Sequence, residues 1–282
     1  MNREPIFDNH VHLQRSGKFI EAAREFERAG GTGILLVNLP PDGDVCSPNY
    51  FMEMYTEAVS IKEEVKRATT LDVLLALGPY PVTALQIAER MGAAAAEEKV
   101  VRAAELAIEF IQEGKAEALG EIGRPHFNVP DELWIMSNNI MKECLKLAAR
   151  EGCAAILHTE EATISNMREI AEMAKSVNMP VHRTVRHHSP PLVDEEENFG
   201  LIPSVKATRE NIRKAAMSSD RFVMETDYLD DPSRPGAVLG IRTVPRRTRE
   251  LMEERLADRD FLRKIHLEIP CSIYGSENFS NV

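Results

Sequence analysis

Short apolar, β-branched runs recur along this chain and alternate with longer stretches whose apolar positions repeat every three to four residues. The first run, IFDNHVHL (Ile6–Leu13), precedes a segment from Lys18 to Ala29 that carries Phe19, Ala22, Ala23 and Phe26 at helical spacing. Gly33–Leu39 leads to a helix over 50–67, Leu71–Gly78 to helices over 81–91 and 93–113, and Glu117–Gly123 to one over 131–150. Cys153–Glu160 leads to a helix over 164–176, Phe199–Val205 to one over 209–217, and Arg221–Tyr228 to one over 244–256. With Val181–His188 as the sixth strand, eight units in 282 residues predict an α/β fold, a TIM (β/α)8 barrel, rather than an open doubly wound sheet. The sixth strand runs into SPPLVDEEENFG, which leaves little room for a crossover helix, so the barrel is expected to be distorted there. The stretch from Asp258 to Gly275 reads as a C-terminal helical segment docked on the barrel. No linker composition interrupts the pattern, and residues 1–282 are read as one domain.

In such a barrel the loops after the C-terminal ends of the strands build the active site, so the polar residues that end strands carry the information. His10 and His12 end the first strand, Glu121 the fourth, His158 the fifth, His187 or His188 the sixth, and Asp227 the eighth. An HxH pair alone is weak evidence, although residues i and i+2 of a strand share a face and neutral imidazoles suit a divalent ion. Metal-ligand types ending six strand positions together predict a metal site. Two metals would need terminal imidazoles on either side and a carboxylate between them, a place that suits Glu121. Asp227 could ligate and also take a proton from the attacking water. The competing reading for Glu121 and Asp227 is a buried salt bridge with Arg124 or Arg186.

Charge and composition narrow the classes. A net charge of −11 argues against nucleic-acid binding through bulk charge. The 43% hydrophobic and 28% charged fractions are those of a globular protein, and no apolar run is long enough to span a membrane. No apolar leader precedes the first strand, so a cytoplasmic location is expected. Cys46, Cys144, Cys153 and Cys271 lack CxxC spacing and suggest neither a zinc ribbon nor a disulfide framework.

His10-x-His12, GEIG with Glu121, ILHTE with His158, VRHH with His187 and METD with Asp227, in this order from the first strand to the eighth, resemble the TatD-type metal-dependent hydrolases of the amidohydrolase superfamily. The resemblance implies that His10, His12, Glu121, His158, His187 and Asp227 bind one or two divalent ions (Zn, Mn or Mg), and that the activity is phosphodiester hydrolysis, notably of DNA. Among His182, His187 and His188, His187 closes the VRH pattern as in the family, with His188 the alternative. GEIG continues Arg124-Pro125-His126 where the bacterial pattern has Leu-Asp-Tyr, which points to different substrate contacts at that rim and to an archaeal subgroup.

Arg124 and His126, just past Glu121, and Arg234 and Arg242, after the eighth strand, are candidate substrate contacts, since a guanidinium fork suits phosphate oxygens. Arg246, Arg247 and Arg249 are expected to pair with Glu250, Glu253 and Glu254 on a helix surface. Glu160 and Glu161 would orient a ligand histidine or cap the next helix. His266, Trp134 and the helical methionines read as structural. The leading expectation is therefore a phosphoester hydrolase, with DNA as a candidate substrate. The alternative is a small-molecule amidohydrolase, lactonase or phosphotriesterase-like enzyme, favoured by the acidic chain with few aromatics. A noncatalytic metal-binding barrel finds no support, because no position of the ligand set is missing.

Overall fold

The apolar runs become parallel strands buried on both faces, as a sheet covered by helices outside and filled by side chains inside requires. The computed structural model describes residues 4–231, 233, 234 and 238–280. Strand β1 (Phe7–His12) is followed by α1 (Ile20–Arg28), β2 (Gly33–Val37) by α2 (Tyr50–Ala68), and β3 (Asp72–Leu77) by α3 (Pro81–Met91) and α4 (Ala93–Gln112). Next come β4 (Ala118–Gly123) with α5 (Asp131–Glu151), β5 (Ala154–His158) with α6 (Ile164–Ser176), and β6 (Thr184–Ser189) with α7 (Glu195–Asn198). The ring ends with β7 (Ile202–Lys206), α8 (Arg209–Ser218), β8 (Val223–Glu225), β9 (Tyr228–Leu229) and α9 (Thr243–Glu253). A C-terminal segment carries α10 (Arg259–Arg263), one wide turn over Lys264–Glu268 and α11 (Ile269–Tyr274).

The sheet order runs β8 to β1 and on to β9, all parallel. Since β9 continues β8 after two residues and pairs with β1, the pair acts as one interrupted strand that closes the barrel. Phe7, Leu35, Leu74, Ala118, Ile156, Val185 and Val223 point inward and meet Leu267, Ile269 and Tyr274, so the C-terminal segment plugs the barrel interior. Residues of opposite parity, such as Ile34, Leu36, Val73 and Leu75, pack outward against the helices.

Three expectations change. The sixth strand begins at Thr184, because Val181–Arg183 form a short 3-10 turn after Pro180. The connection after it is not wholly irregular: α7 makes a single turn of the EEEN segment. The eighth strand stops at Glu225, where Asp227 adopts a left-handed backbone (φ 52°) before β9 resumes. An aspartate tolerates that conformation better than most residues.

Candidate active site

Parallel pairing is irregular between Asp8 and Val11, between Gly120 and Ile122, and between Arg186 and Ser189. These intervals contain His10, Glu121 and His187. A bulge places two consecutive residues on one face and re-aims a side chain. On β1, Phe7 belongs to the barrel interior and Val11 packs outward, while both His10 and His12 turn into the mouth.

The polar atoms converge there. His10 Nε2 and His12 Nε2 lie 3.1 Å apart, and Asp227 Oδ1 is 3.6 Å from His12 Nε2 and 3.9 Å from His10 Nε2. Glu121 Oε1 lies 2.9 Å from His158 Nδ1, 3.1 Å from His187 Nε2 and 3.8 Å from His10 Nε2. Three overlapping groups of candidate ligands result among the described residues, His10/His12/Asp227, His10/His187/Glu225 and Glu121/His158/His187, and Glu121 reaches toward His10 of the first two. The salt bridges offered as the competing reading do not form. Arg186 donates instead to the backbone carbonyls of His187, Thr159 and Glu160.

Supporting contacts fix these side chains. His12 Nδ1 lies 3.1 Å from the Val37 carbonyl, which presents Nε2 to the mouth. His187 Nδ1 lies 3.0 Å from Glu225 Oε1, and the same oxygen accepts from His188 N at 2.7 Å. Asp8 accepts from Thr226 N (3.0 Å), Thr226 Oγ1 (2.7 Å) and His10 N (3.3 Å), tying the first ligand strand to the residue before Asp227. Glu225 and Asp8 were not picked out by the sequence reading. A signal for Glu225 exists, since it precedes Asp227 by two residues in METD and shares the inward face with Val223.

The residues present fit divalent ions. Burial and the neighbouring His187 push His10 down to about 3, so its imidazole is neutral and keeps a free lone pair. His10 Nδ1 is buried with no hydrogen-bond partner among the described residues. Burial opposes ionisation of Glu121 and Asp227, but the surrounding histidines outweigh it and hold both well below the usual carboxylate range. Burial also disfavours charge on His187, yet Glu225 and Glu121 push it up to about 9. His187 therefore carries a proton at neutral pH that a bound cation would displace. Imidazoles, neutral once a bound cation displaces their protons, interleaved with ionised carboxylates form a donor set for zinc, manganese or magnesium.

A cavity of about 840 Å³ opens over these groups. Its walls include Tyr80, Asn38, Met54, Leu75 and Arg234, with Glu121, His158, His187 and Asp227 at its floor. The Tyr80 ring stands 5.0 Å from that of His158, another contact the sequence reading did not identify. His126 is exposed at the rim with Nδ1 2.9 Å from His158 Nε2. His188 is exposed and lines the cavity without joining any of the candidate ligand groups, and His182 is exposed on the 3-10 turn.

Two of the expected substrate contacts lie elsewhere. Arg124 is fully buried, donates to Glu160 (2.6 and 2.8 Å), Glu169 (2.7 Å) and Asn138 (2.8 Å), and is covered by the Trp134 ring at 4.6 Å. Its guanidinium is consumed by two carboxylates and is closed to substrate. Arg242 lines a separate cavity beside α1. Glu160 accordingly serves Arg124 rather than His158. Thr163, not Glu160 or Glu161, caps α6, accepting from Asn166 N.

The family described as TatD related DNase matches residues 7–275. An uncharacterized protein of Methanocaldococcus jannaschii is 36% identical over 277 residues, 97% of this chain and 96% of that one. Among solved structures, the TatD homolog YjjV of Escherichia coli superposes with a TM-score of 0.68 at 20% identity, covering 95% of this chain and 97% of that one. A TatD-like protein of Archaeoglobus fulgidus gives 0.60 at 19%, covering 91% and 99%. The phosphotriesterase homology protein of Escherichia coli, solved with phosphate in its active site, gives 0.66 at 11%, covering 97% and 100%. With its histidine and carboxylate groups gathered at one mouth and nearly its full length matched, this chain belongs to the TatD family of metal-dependent hydrolases.

Proposed function

We propose that the protein, acting as one hydrolase domain, hydrolyses phosphoesters with one or two divalent ions held by His10, His12, Glu121, His158, His187 and Asp227. The observation that carries this reading is the position of Glu121 Oε1, which faces His158 and His187 at hydrogen-bond distance and His10 at 3.8 Å. When bound, a divalent ion supplies Lewis acidity toward a phosphoryl oxygen and makes water more acidic at neutral pH. Asp227, held ionised beside His12, accepts the proton of the attacking water. Arg234 supplies a cation of the cavity wall for an anionic substrate oxygen, Arg15 in the same wall being paired with Glu57 and Glu64. His126 fixes the far side of His158.

The test compares wild type and Asp227→Asn, stripped of metal and reloaded with zinc, manganese or magnesium, on a chromogenic phosphodiester and a labelled single-stranded DNA oligomer. Hydrolysis should require metal and fall on the order of 100-fold or more in Asp227→Asn, with the fold retained. A metal-loaded wild type that cleaves neither substrate defeats the phosphoester reading.

A second reading, hydrolysis of a small lactone or phosphotriester, draws on the apolar part of the same cavity, where Leu36, Met54, Ile61 and Leu75 contribute. Salt separates the two. Turnover of a nucleic acid weakens steeply with ionic strength, whereas that of a small neutral substrate hardly changes.

A further inference from the structure

A second cavity, of about 830 Å³, lies between α1 and the start of α9. Lys18, Arg28, Arg242, Arg246 and Arg249 line it, and Glu25 is the carboxylate of its described lining. Glu25 is taken up by Lys18 at 3.1 Å, and Arg28 is taken up by Glu21. Arg249 donates to the Ala29 carbonyl at 2.7 Å, which leaves its charge uncompensated. Arg242 and Arg246 are exposed, and their side chains have no hydrogen-bond or carboxylate partner among the described residues. The surface pairing expected from the sequence holds for Arg247 and Glu250 alone, at 2.6 Å. Glu254 is engaged by Arg209 and Arg213, both at 2.7 Å.

Three uncompensated guanidinium groups around one concavity repel one another, and they do so in a chain of net charge −11, where acidic partners are plentiful. Their common complement is an anion with several phosphate-like groups. α1 flanks the groove for about 12 Å at 1.5 Å per residue, a length that suits a strand better than a single phosphate. The groove also adjoins the active site. Asp227 and Leu229 line the metal-binding cavity while Tyr228, between them on β9, lines the groove.

We propose that this groove binds backbone phosphates of a single-stranded nucleic acid whose scissile phosphodiester lies over Glu121 and Asp227. The placement of the scissile bond rests on the phosphoester reading above, whereas the groove itself does not. The strand crosses β9 from one cavity to the other, and Arg242 and Arg246 grip it without reading base sequence.

The test is anisotropy of a fluorescein-labelled oligothymidylate of about twenty nucleotides with metal chelated, so that nothing is cleaved. Wild type is compared with Arg242→Glu/Arg246→Glu and with Arg67→Glu/Arg102→Glu, an equal charge change on exposed positions of α2 and α4. The groove variant should bind on the order of tenfold or more weakly, and its salt slope should fall by about 1.4, two contacts at about 0.7 each. The control should stay near wild type. Arg242→Gln/Arg246→Gln should lose the same slope, and thermal melting by circular dichroism verifies that each variant is folded. Equal affinity and slope in groove variant and control overturn the proposal, as does a wild type that does not bind the strand. Strand binding that depends on Arg242 and Arg246 in a protein that cleaves no phosphoester upholds the groove and defeats the active-site reading.

Discussion

Replacing Glu225 by Gln changes one oxygen to an amide nitrogen inside a fully buried site, and its consequence can be worked from the geometry. Glu225 is 0% exposed, and its Oε1 lies 3.0 Å from His187 Nδ1 and 2.7 Å from His188 N. Gln can keep its carbonyl oxygen at that position, so the hydrogen bond from His188 N and the close approach to His187 Nδ1 persist while the negative charge goes. A full charge on the imidazole about 4 Å away would feel about 4 kcal/mol at an effective dielectric of 20. A ligand imidazole carries only part of that charge, and outer contacts of this kind are worth roughly 1.4–2.7 kcal/mol, a 10- to 100-fold change in metal affinity. Competition of wild type and Glu225→Gln against a metal chelator reads this directly. In the metal-free protein, NMR titration should show His187, which stands at about 9, moving down in the variant because the largest opposing influence on its burial is gone. Metal affinity within twofold of wild type, or an unmoved His187, would refute the reasoning.

Other outcomes are equally definite. Burial pushes His266 down to about 4, where it bridges Phe7 N at 3.2 Å and Thr248 Oγ1 at 2.9 Å. The unfolded chain protonates near pH 6.5 and the folded one does not. Stability therefore falls by up to about 3 kcal/mol between pH 6.5 and 4, and urea unfolding of His266→Gln should lose that slope; an unchanged slope contradicts it. Lys62, 3% exposed, donates to Glu117 at 2.6 Å and to the Lys115 carbonyl at 3.1 Å. Lys62→Ala leaves Glu117 uncompensated and should cost about 3 kcal/mol in denaturant melts, a loss under about 1 kcal/mol being incompatible with a buried pair. At Gly123 (φ 140°) a Cβ would stand 2.1 Å from the His158 carbonyl oxygen. Gly123→Ala should cost about 2 kcal/mol or more and displace His158, so a variant with wild-type melting and metal affinity would disprove the close approach.

The barrel was legible because its signal is local. Apolar strand runs recur eight times, all but the sixth followed by 3.6-residue helical spacing, and burial on both faces makes parallel strands continuously apolar. The strand ends then pointed to His10, His12, Glu121, His158, His187 and Asp227, which the fold brings to one mouth. Charge positions after strands were read less well, because a sequence gives a residue's distance from a strand end but not its direction. Arg124, three residues past Glu121, turns inward to Glu160 and Glu169. Arg242 faces α1 rather than the active site.

The alternation of strands and helices and the residue types at the strand ends are local properties of the chain and follow from short-range periodicity. How those ends are aimed is set by the closed barrel. Register irregularities at His10, Glu121 and His187, and the left-handed backbone of Asp227, arise where neighbouring strands with their own twist must meet around a closed ring. The roles of Glu225 behind His187 and of Asp8 across β1 and Thr226 come from the same cause. Residues separated by 218 positions in the chain become hydrogen-bond partners once the barrel shuts.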